Sequence, residues 1–350
     1  MRSLLYAIVS LSLATTACKK KEADPGTAPP VTGSAGSAAN AGSGSAAPSP
    51  EEKVAAGLKK ADEEAAEEQK RWTPELTKQV VDLRDAKYAD AKAALTAILA
   101  SPHRMPKHPE RDAARHPVET LTFFGITPTQ TVIEIGAGGG WYSELLAPLL
   151  ANGGKYIVAG PDTNGPKTEM SSVYGKRLDQ MLAKSPELFD KVERVTINPD
   201  APKFGPDASA DLVIAMREMH NWQRNKKLDA YLAAAHAALK DGGTFGVEQH
   251  RAKPGTMGDA TADSGYLAED WVIEKVKAAG FELVEKSEIN ANPKDTKDYP
   301  KGVWTLPPNF REGETDKAKY AAIGESDRMT LTFKKVAKPA AGSGSGSAVK

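Results

Sequence analysis

The sequence predicts an α/β protein: a seven-stranded mixed sheet with helices on both faces, preceded by a helical segment. Three observations predict it. From His116 onward, β-branched runs of five to seven residues alternate with helical stretches, the texture of strands joined by crossover helices. One run, Thr131-Val132-Ile133-Glu134-Ile135, breaks into Gly136-Ala137-Gly138-Gly139-Gly140 and then into an amphipathic helix, Trp141 to Leu150. The composition of the 350 residues, 40 % hydrophobic and 6 % aromatic with 30 Gly and 24 Pro, is that of a globular domain diluted by sequence unable to fold. A core-forming part of roughly 200 to 270 residues is therefore expected.

The diluting sequence lies at the ends. Arg2 precedes an apolar stretch from Leu4 to Leu13, too short to span a bilayer permanently but suited to an export signal. Ala14-Thr15-Thr16-Ala17 before Cys18 resembles the lipobox of bacterial lipoproteins, with Thr15 in place of the usual Leu. That resemblance implies lipidation of Cys18 and a location in the cell envelope, anchored to membrane as a periplasmic or outer-membrane lipoprotein; an ordinary secretory signal or a chance apolar N-terminus is the alternative. From Ala23 to Pro50, 23 of 28 residues are Ala, Gly, Ser or Pro, which cannot bury enough apolar surface to offset ordering entropy. Residues 1–18 are thus expected as signal, 19–50 as tether and 339–350 as a disordered tail. Between them, 51–101 reads as a helical stalk or cover and 102–338 as the chemical domain.

Charge narrows the function classes. The 46 basic residues balance 46 acidic ones, which leaves no electrostatic footprint for nucleic acid, so any anionic partner is bound locally. Cys18 is the only cysteine, so an internal disulfide, a cysteine-cluster zinc site and an iron–sulfur cluster are excluded. His103, His108 and His116 match no zinc spacing, and no metal site is expected.

Each element follows in order. Glu51 to Gln69 is charged and Ala-rich, a mostly solvated helix. Thr73 as N-cap and Pro74 in the first turn open a helical run with apolar positions from Leu76 to Leu99. Pro117 to Phe124 is an apolar helix stopped by Gly125. Strands are expected at 131–135, 155–159, 192–197, 211–215, 244–248, 281–287 and 329–335, with a helix at 269–279.

Strand, glycine loop and helix in succession bring backbone N–H groups and a helix N-terminus to a ligand. A dinucleotide G-x-G-x-x-G would need glycine at Trp141. The spacing Glu134-x-Gly136-x-Gly138-x-Gly140 instead resembles the acidic-x-G-x-G-x-G first motif of class I methyltransferases. Asn198-Pro199-Asp200-Ala201 after the third strand and Leu239-Lys240-Asp241-Gly242-Gly243 before the fifth resemble further motifs of that family, the second with Asp241 in place of proline. The likeness covers roughly residues 102 to 336. Arg111-Asp112-Ala113-Ala114-Arg115-His116-Pro117, Met219-His220-Asn221-Trp222 and Glu248-Gln249-His250-Arg251 together resemble a bacterial family of functionally uncharacterised class I methyltransferases, often exported.

The resemblance implies a Rossmann-like sheet with an antiparallel last strand, and S-adenosylmethionine as cofactor. It implies cofactor contacts at Glu134, Gly136, Gly138 and Gly140, with Asp162 near the ribose and Asp200 near the adenine. Methyl transfer is an in-line displacement, so alignment dominates and a base is needed only if the nucleophile loses a proton. His220 is the expected base and Asn221 an orienting group, both catalytic candidates. Arg217, His250 and Arg251 are expected to bind substrate, and Glu218 stands among them. Arg111, Asp112 and Arg115 precede the first strand, either closing over the cofactor or capping a helix. The aromatic and proline-rich insertion from Asn290 to Asp327 is a lid, a docking surface or a cover of the sheet edge. The expected function is methyl transfer to an unknown small-molecule or envelope acceptor; the alternative is a non-catalytic envelope binding module that keeps the fold.

Overall fold

A computed structural model describes residues 48–336. Cys18, the signal and nearly all of the tether, and the C-terminal tail lie outside the described residues. Three helices come first: α1 (Pro50–Arg71), α2 (Pro74–Asp85) and α3 (Ala91–Leu99), followed by the short α4 (Asp112–Arg115) and α5 (Pro117–Phe123). The strands are β1 (Thr131–Ile135), β2 (Lys155–Gly160), β3 (Glu193–Thr196), β4 (Ala210–Met216), β5 (Leu239–His250), β6 (Phe281–Ser287) and β7 (Arg328–Lys335). They are joined by α6 (Ser143–Leu150), α7 (Ser171–Ala183), α8 (Pro186–Phe189), α9 (Met219–Arg224), α10 (Leu228–Ala238), α11 (Gly258–Thr261), α12 (Glu269–Ala278) and α13 (Lys317–Ile323).

The strands form one sheet in the order β3-β2-β1-β4-β5-β7-β6. β1 to β5 run parallel, whereas β7 lies antiparallel between β5 and β6. This is the Rossmann-like class I methyltransferase fold expected from the sequence. Side chains alternate across it with period two. Ile133, Ile135, Val213 and Ala215 enter one core, packed against α9, α10 and α12, while Val132, Leu212 and Ile214 enter the other, against α2, α3, α5 and α6. The chain leaves β1 for β2 on one side and β4 adjoins it on the other, so the order reverses at β1, where open α/β sheets collect ligands.

Two elements differ from the sequence reading. The run expected from Thr73 to Leu99 is two helices, because Ala86 is extended and Asp90 caps a fresh start by accepting from the Ala93 N–H at 2.8 Å. The Lys240–Gly243 turn is part of β5, whose register with β4 slips between Ala210 and Leu212 as Gly242 takes φ +71°. The solvated helix is well formed: Ser49 and Glu52 make a capping box at the start of α1. It lies along α7 through Lys176–Asp62 at 2.7 Å and Arg177–Glu64 at 3.0 Å. α2 and α3 pack likewise, against α8, α6 and α5. None of the described helices is long and apolar enough to cross a membrane.

Candidate functional site

The loop after β1 has the backbone that its glycines predict. Gly136, Gly138 and Gly140 hold φ values of +71°, +58° and +83°, a region costly to any residue with a Cβ. The Gly136 N–H donates to the Ala159 carbonyl at 2.8 Å and fixes the loop to β2. Gly138 and Gly139 face open space, with nothing within 4 Å of an added Cβ. The other two glycines are faced by this chain's own side chains: Glu218 lies 2.5 Å from a Gly136 Cβ position, and Met181 lies 2.4 Å from that of Gly140.

The carboxyl groups expected around the cofactor are arranged as follows. Glu134, only 2 % exposed, accepts from Ser143 Oγ at 3.0 Å and from the Tyr156 hydroxyl, and burial pushes its pKa up to about 6. It thereby ties β1 to β2 and to the first turn of α6. Asp162 is exposed and accepts from the Asn164 N–H at 2.8 Å. At the end of β2 stands instead Arg194, which donates to the Gly160 and Pro161 carbonyls at 3.1 and 2.6 Å and to Asp179 at 3.0 Å. Asp179, which α7 brings to the end of β2, is thus the acid that holds Arg194 there, and no local sequence pattern marks it. Asp200 has an 83 % exposed side chain and pairs with Lys227 at 2.7 Å, which lowers its pKa.

At the carboxyl ends of β4 and β5 the structure brings together Arg217, Glu218, His220, Asn221 and His250. His220 is 4 % exposed, and burial brings its pKa down to about 4. Its Nδ1 lies 3.4 Å from the Gln249 side-chain amide, and its ring 5.8 Å from Trp304 and 5.5 Å from His250. His250 is held at 2.5 Å from Ser326 Oγ; burial, then the neighbouring His220, keep it well below the usual imidazole range. Burial raises Glu218 to about 7, against an Asn221 amide donating from 3.4 Å.

Arg251, expected at the substrate, is clasped by Glu269 at 3.2 Å, Glu288 at 2.6 Å and Asp327 at 2.9 Å, and so fastens the chain around β5 to both ends of the insertion. The insertion is latched further by Asp295, which accepts from Tyr266 and from the Asp327 N–H at 2.7 Å. Its Trp304 covers His220.

Arg217 turns at φ +62° and donates to Glu248 at 2.7 Å; Glu248 is fully buried at the end of β5 and also faces Arg328, 3.1 Å away. Burial would raise Glu248, but Arg217, Arg328 and Arg115 outweigh it and lower its pKa. Among the described residues no group of three or more His, Cys, Asp or Glu is placed to hold a metal ion.

No protein-family model and no curated protein matches the chain. Solved structures do. A SAM-dependent methyltransferase from Aquifex aeolicus is 14 % identical, with 71 % of this chain and 100 % of that one covered at a TM-score of 0.43. The 4+2-cyclase SpnF is 16 % identical over 64 % of this chain and 81 % of its own, at a TM-score of 0.45. The glycopeptide N-methyltransferase MtfA, complexed with sinefungin, is 16 % identical over 65 % and 94 %, at 0.40.

Proposed function

We propose that the chain binds S-adenosylmethionine over the glycine loop and transfers its methyl group to an acceptor at the ends of β4 and β5. One observation carries this reading: an acidic-x-Gly-x-Gly-x-Gly loop, with all three glycines in the left-handed region, stands at the point where the strand order reverses. The residues fit the cofactor. The Gly138–Gly139 face is open, and what lies over Gly136 and Gly140 is side chain, Glu218 and Met181, rather than backbone. Bound there, the cofactor supplies a methyl group activated by its sulfonium charge. Glu218 would face that charge as a carboxylate, and it is the group at the site poised near neutrality, hence the best proton acceptor. Asn221 orients Glu218, while His220, neutral and beneath Trp304, forms the wall. Calorimetric titration of the full chain with S-adenosylhomocysteine tests the reading: saturable binding is expected, and its absence removes the enzyme.

A second reading, a non-catalytic binding module, is favoured by the side chains that fill the site: Glu218 over Gly136, Met181 over Gly140 and Arg194 across the end of β2. Binding of S-adenosylhomocysteine without methyl transfer to any acceptor offered would select it. In either case we place the protein in the envelope, anchored at Cys18, on the strength of its N-terminal sequence. Incorporation of a fatty-acid analogue that is lost in Cys18→Ala checks this.

A further inference from the structure

Beside the glycine loop is a charge cluster that does not balance. Arg111, Arg115, Arg217 and Arg328 converge on only two carboxylates, Glu248 and Glu325. Three of the four guanidinium groups are paired within 3.1 Å: Arg111 with Glu325 at 2.6 Å, Arg217 with Glu248 at 2.7 Å, and Arg328 with both. Arg115 is the exception. It is 4 % exposed, its nearest carboxylate oxygen is 4.0 Å away on Glu325, and its Nε and Nη1 have no hydrogen-bond partner among the described residues. Its guanidinium lies 4.4 Å over the Trp141 ring, directly after Gly140. Arg328 Nε is also without a hydrogen bond, but it lies 3.1 Å from a Glu248 carboxylate oxygen; Arg115 alone of the four has two unmet donors and no carboxylate so near.

We infer that this cluster is an oxyanion subsite for the methyl acceptor, which therefore carries a carboxylate or phosphate group. The inference rests on the methyltransferase reading for the word acceptor, but the anion site itself does not. A buried guanidinium without a close carboxylate calls for an anion, and planar guanidinium groups bind carboxylate and phosphate through paired N–H bonds. Position favours the acceptor over the cofactor. Arg217 ends β4, Glu248 ends β5 and Arg328 begins β7, all on one side of β1, whereas Asp179 and Arg194 mark the opposite, β2 side. At about 4.8 Å between strands, β5 lies about 10 Å from the glycine loop's own strand. Of the four arginines, Arg111 and Arg217 have the more exposed side chains, at 25 % and 16 %.

The test is thermal unfolding of the full chain in inorganic phosphate and in acetate, against chloride at equal ionic strength, with and without saturating S-adenosylhomocysteine or methylthioadenosine. Phosphate or acetate should raise Tm saturably. In Arg115→Met that rise should fall at least about tenfold in apparent affinity, while the anion-free Tm should increase because an unpaired buried charge is gone. Arg115→Lys should recover part of the response. No saturable effect beyond chloride, or an unchanged response in Arg115→Met, overturns the proposal. So does loss of the phosphate response in S-adenosylhomocysteine but not in methylthioadenosine, which would assign the arginines to the cofactor's own carboxylate. If phosphate binds but S-adenosylhomocysteine does not, the methyltransferase reading fails and the anion site stands.

Discussion

The two sides of β1 are built on different principles. Toward β2 the site is made of backbone: three left-handed glycines, a loop fixed by the Gly136 N–H, and carboxyl groups pushed toward their neutral forms, Glu134 at about 6 and Glu218, leaning over from β4, at about 7. Toward β5 and β7 the site is made of ionised side chains, with Glu325 brought down to about 2 because Arg111, Arg328 and Arg115 outweigh the effect of burial. A backbone cradle holds its shape with or without charge, whereas an ion network does not tolerate the loss of one member. The two sides should therefore respond to substitution and to pH in opposite ways.

The largest expected effect is in the network. Glu248→Ala leaves Arg217 and Arg328 facing one another without their shared carboxylate, and about 3–5 kcal/mol of stability should be lost in urea unfolding. An unchanged midpoint would show that the network is not structural. Next comes acid. Glu325 has a folded pKa of about 2 against an ordinary 4.5, so its contribution is complete above pH 4.5 and disappears as pH falls toward 2. Glu325→Gln should flatten that limb of the stability profile, an effect of up to about 3 kcal/mol.

Glu218 should show the reverse sign. Its folded pKa of about 7 exceeds the ordinary 4.5, so the folded state holds a proton that the unfolded state has released, and stability falls as pH rises from 4.5 to 7. Glu218→Gln should thus equal the wild type at low pH and exceed it above pH 7, by about 1–3 kcal/mol, in pH-dependent melting. A variant less stable at every pH would mean that the carboxylate is needed by the fold. Smallest is Gly138→Ala: with φ +58° but open space around it, backbone strain alone should cost about 1 kcal/mol. Gly136→Ala, whose Cβ meets Glu218, should cost more and weaken adenosyl binding further.

The same division explains what the sequence disclosed. The glycine side was legible because its conformation is written in consecutive residues: positive φ needs glycine, and Glu134-x-Gly136-x-Gly138-x-Gly140 can be read without knowing any neighbour. All seven strands were legible for a like reason, as short β-branched and apolar runs of consecutive residues. Asp179 and Arg194 at the end of β2 were not, because a helix brings one and the next strand the other. The charge network was less legible still, since Arg115, Arg217, Glu248 and Glu325 are far apart in the chain and meet only through strand order. The partners of Arg251 were hidden too, because its position beside His250 says nothing about Glu269, Glu288 and Asp327, which close around it. Long-range pairing of charges leaves no local pattern; backbone conformation does.

The position of β7 has a consequence for how the molecule comes into being on the ribosome. The last strand among the described residues is not the edge of the sheet but sits between β5 and β6, pairing with both. Until Arg328–Lys335 has been synthesised, β5 presents an open hydrogen-bonding edge and β6 has no neighbour in the sheet. The same strand carries Arg328 to Glu248. Vectorial synthesis therefore completes the sheet and the charge network in one late event, and a nascent chain stopped before β7 has neither.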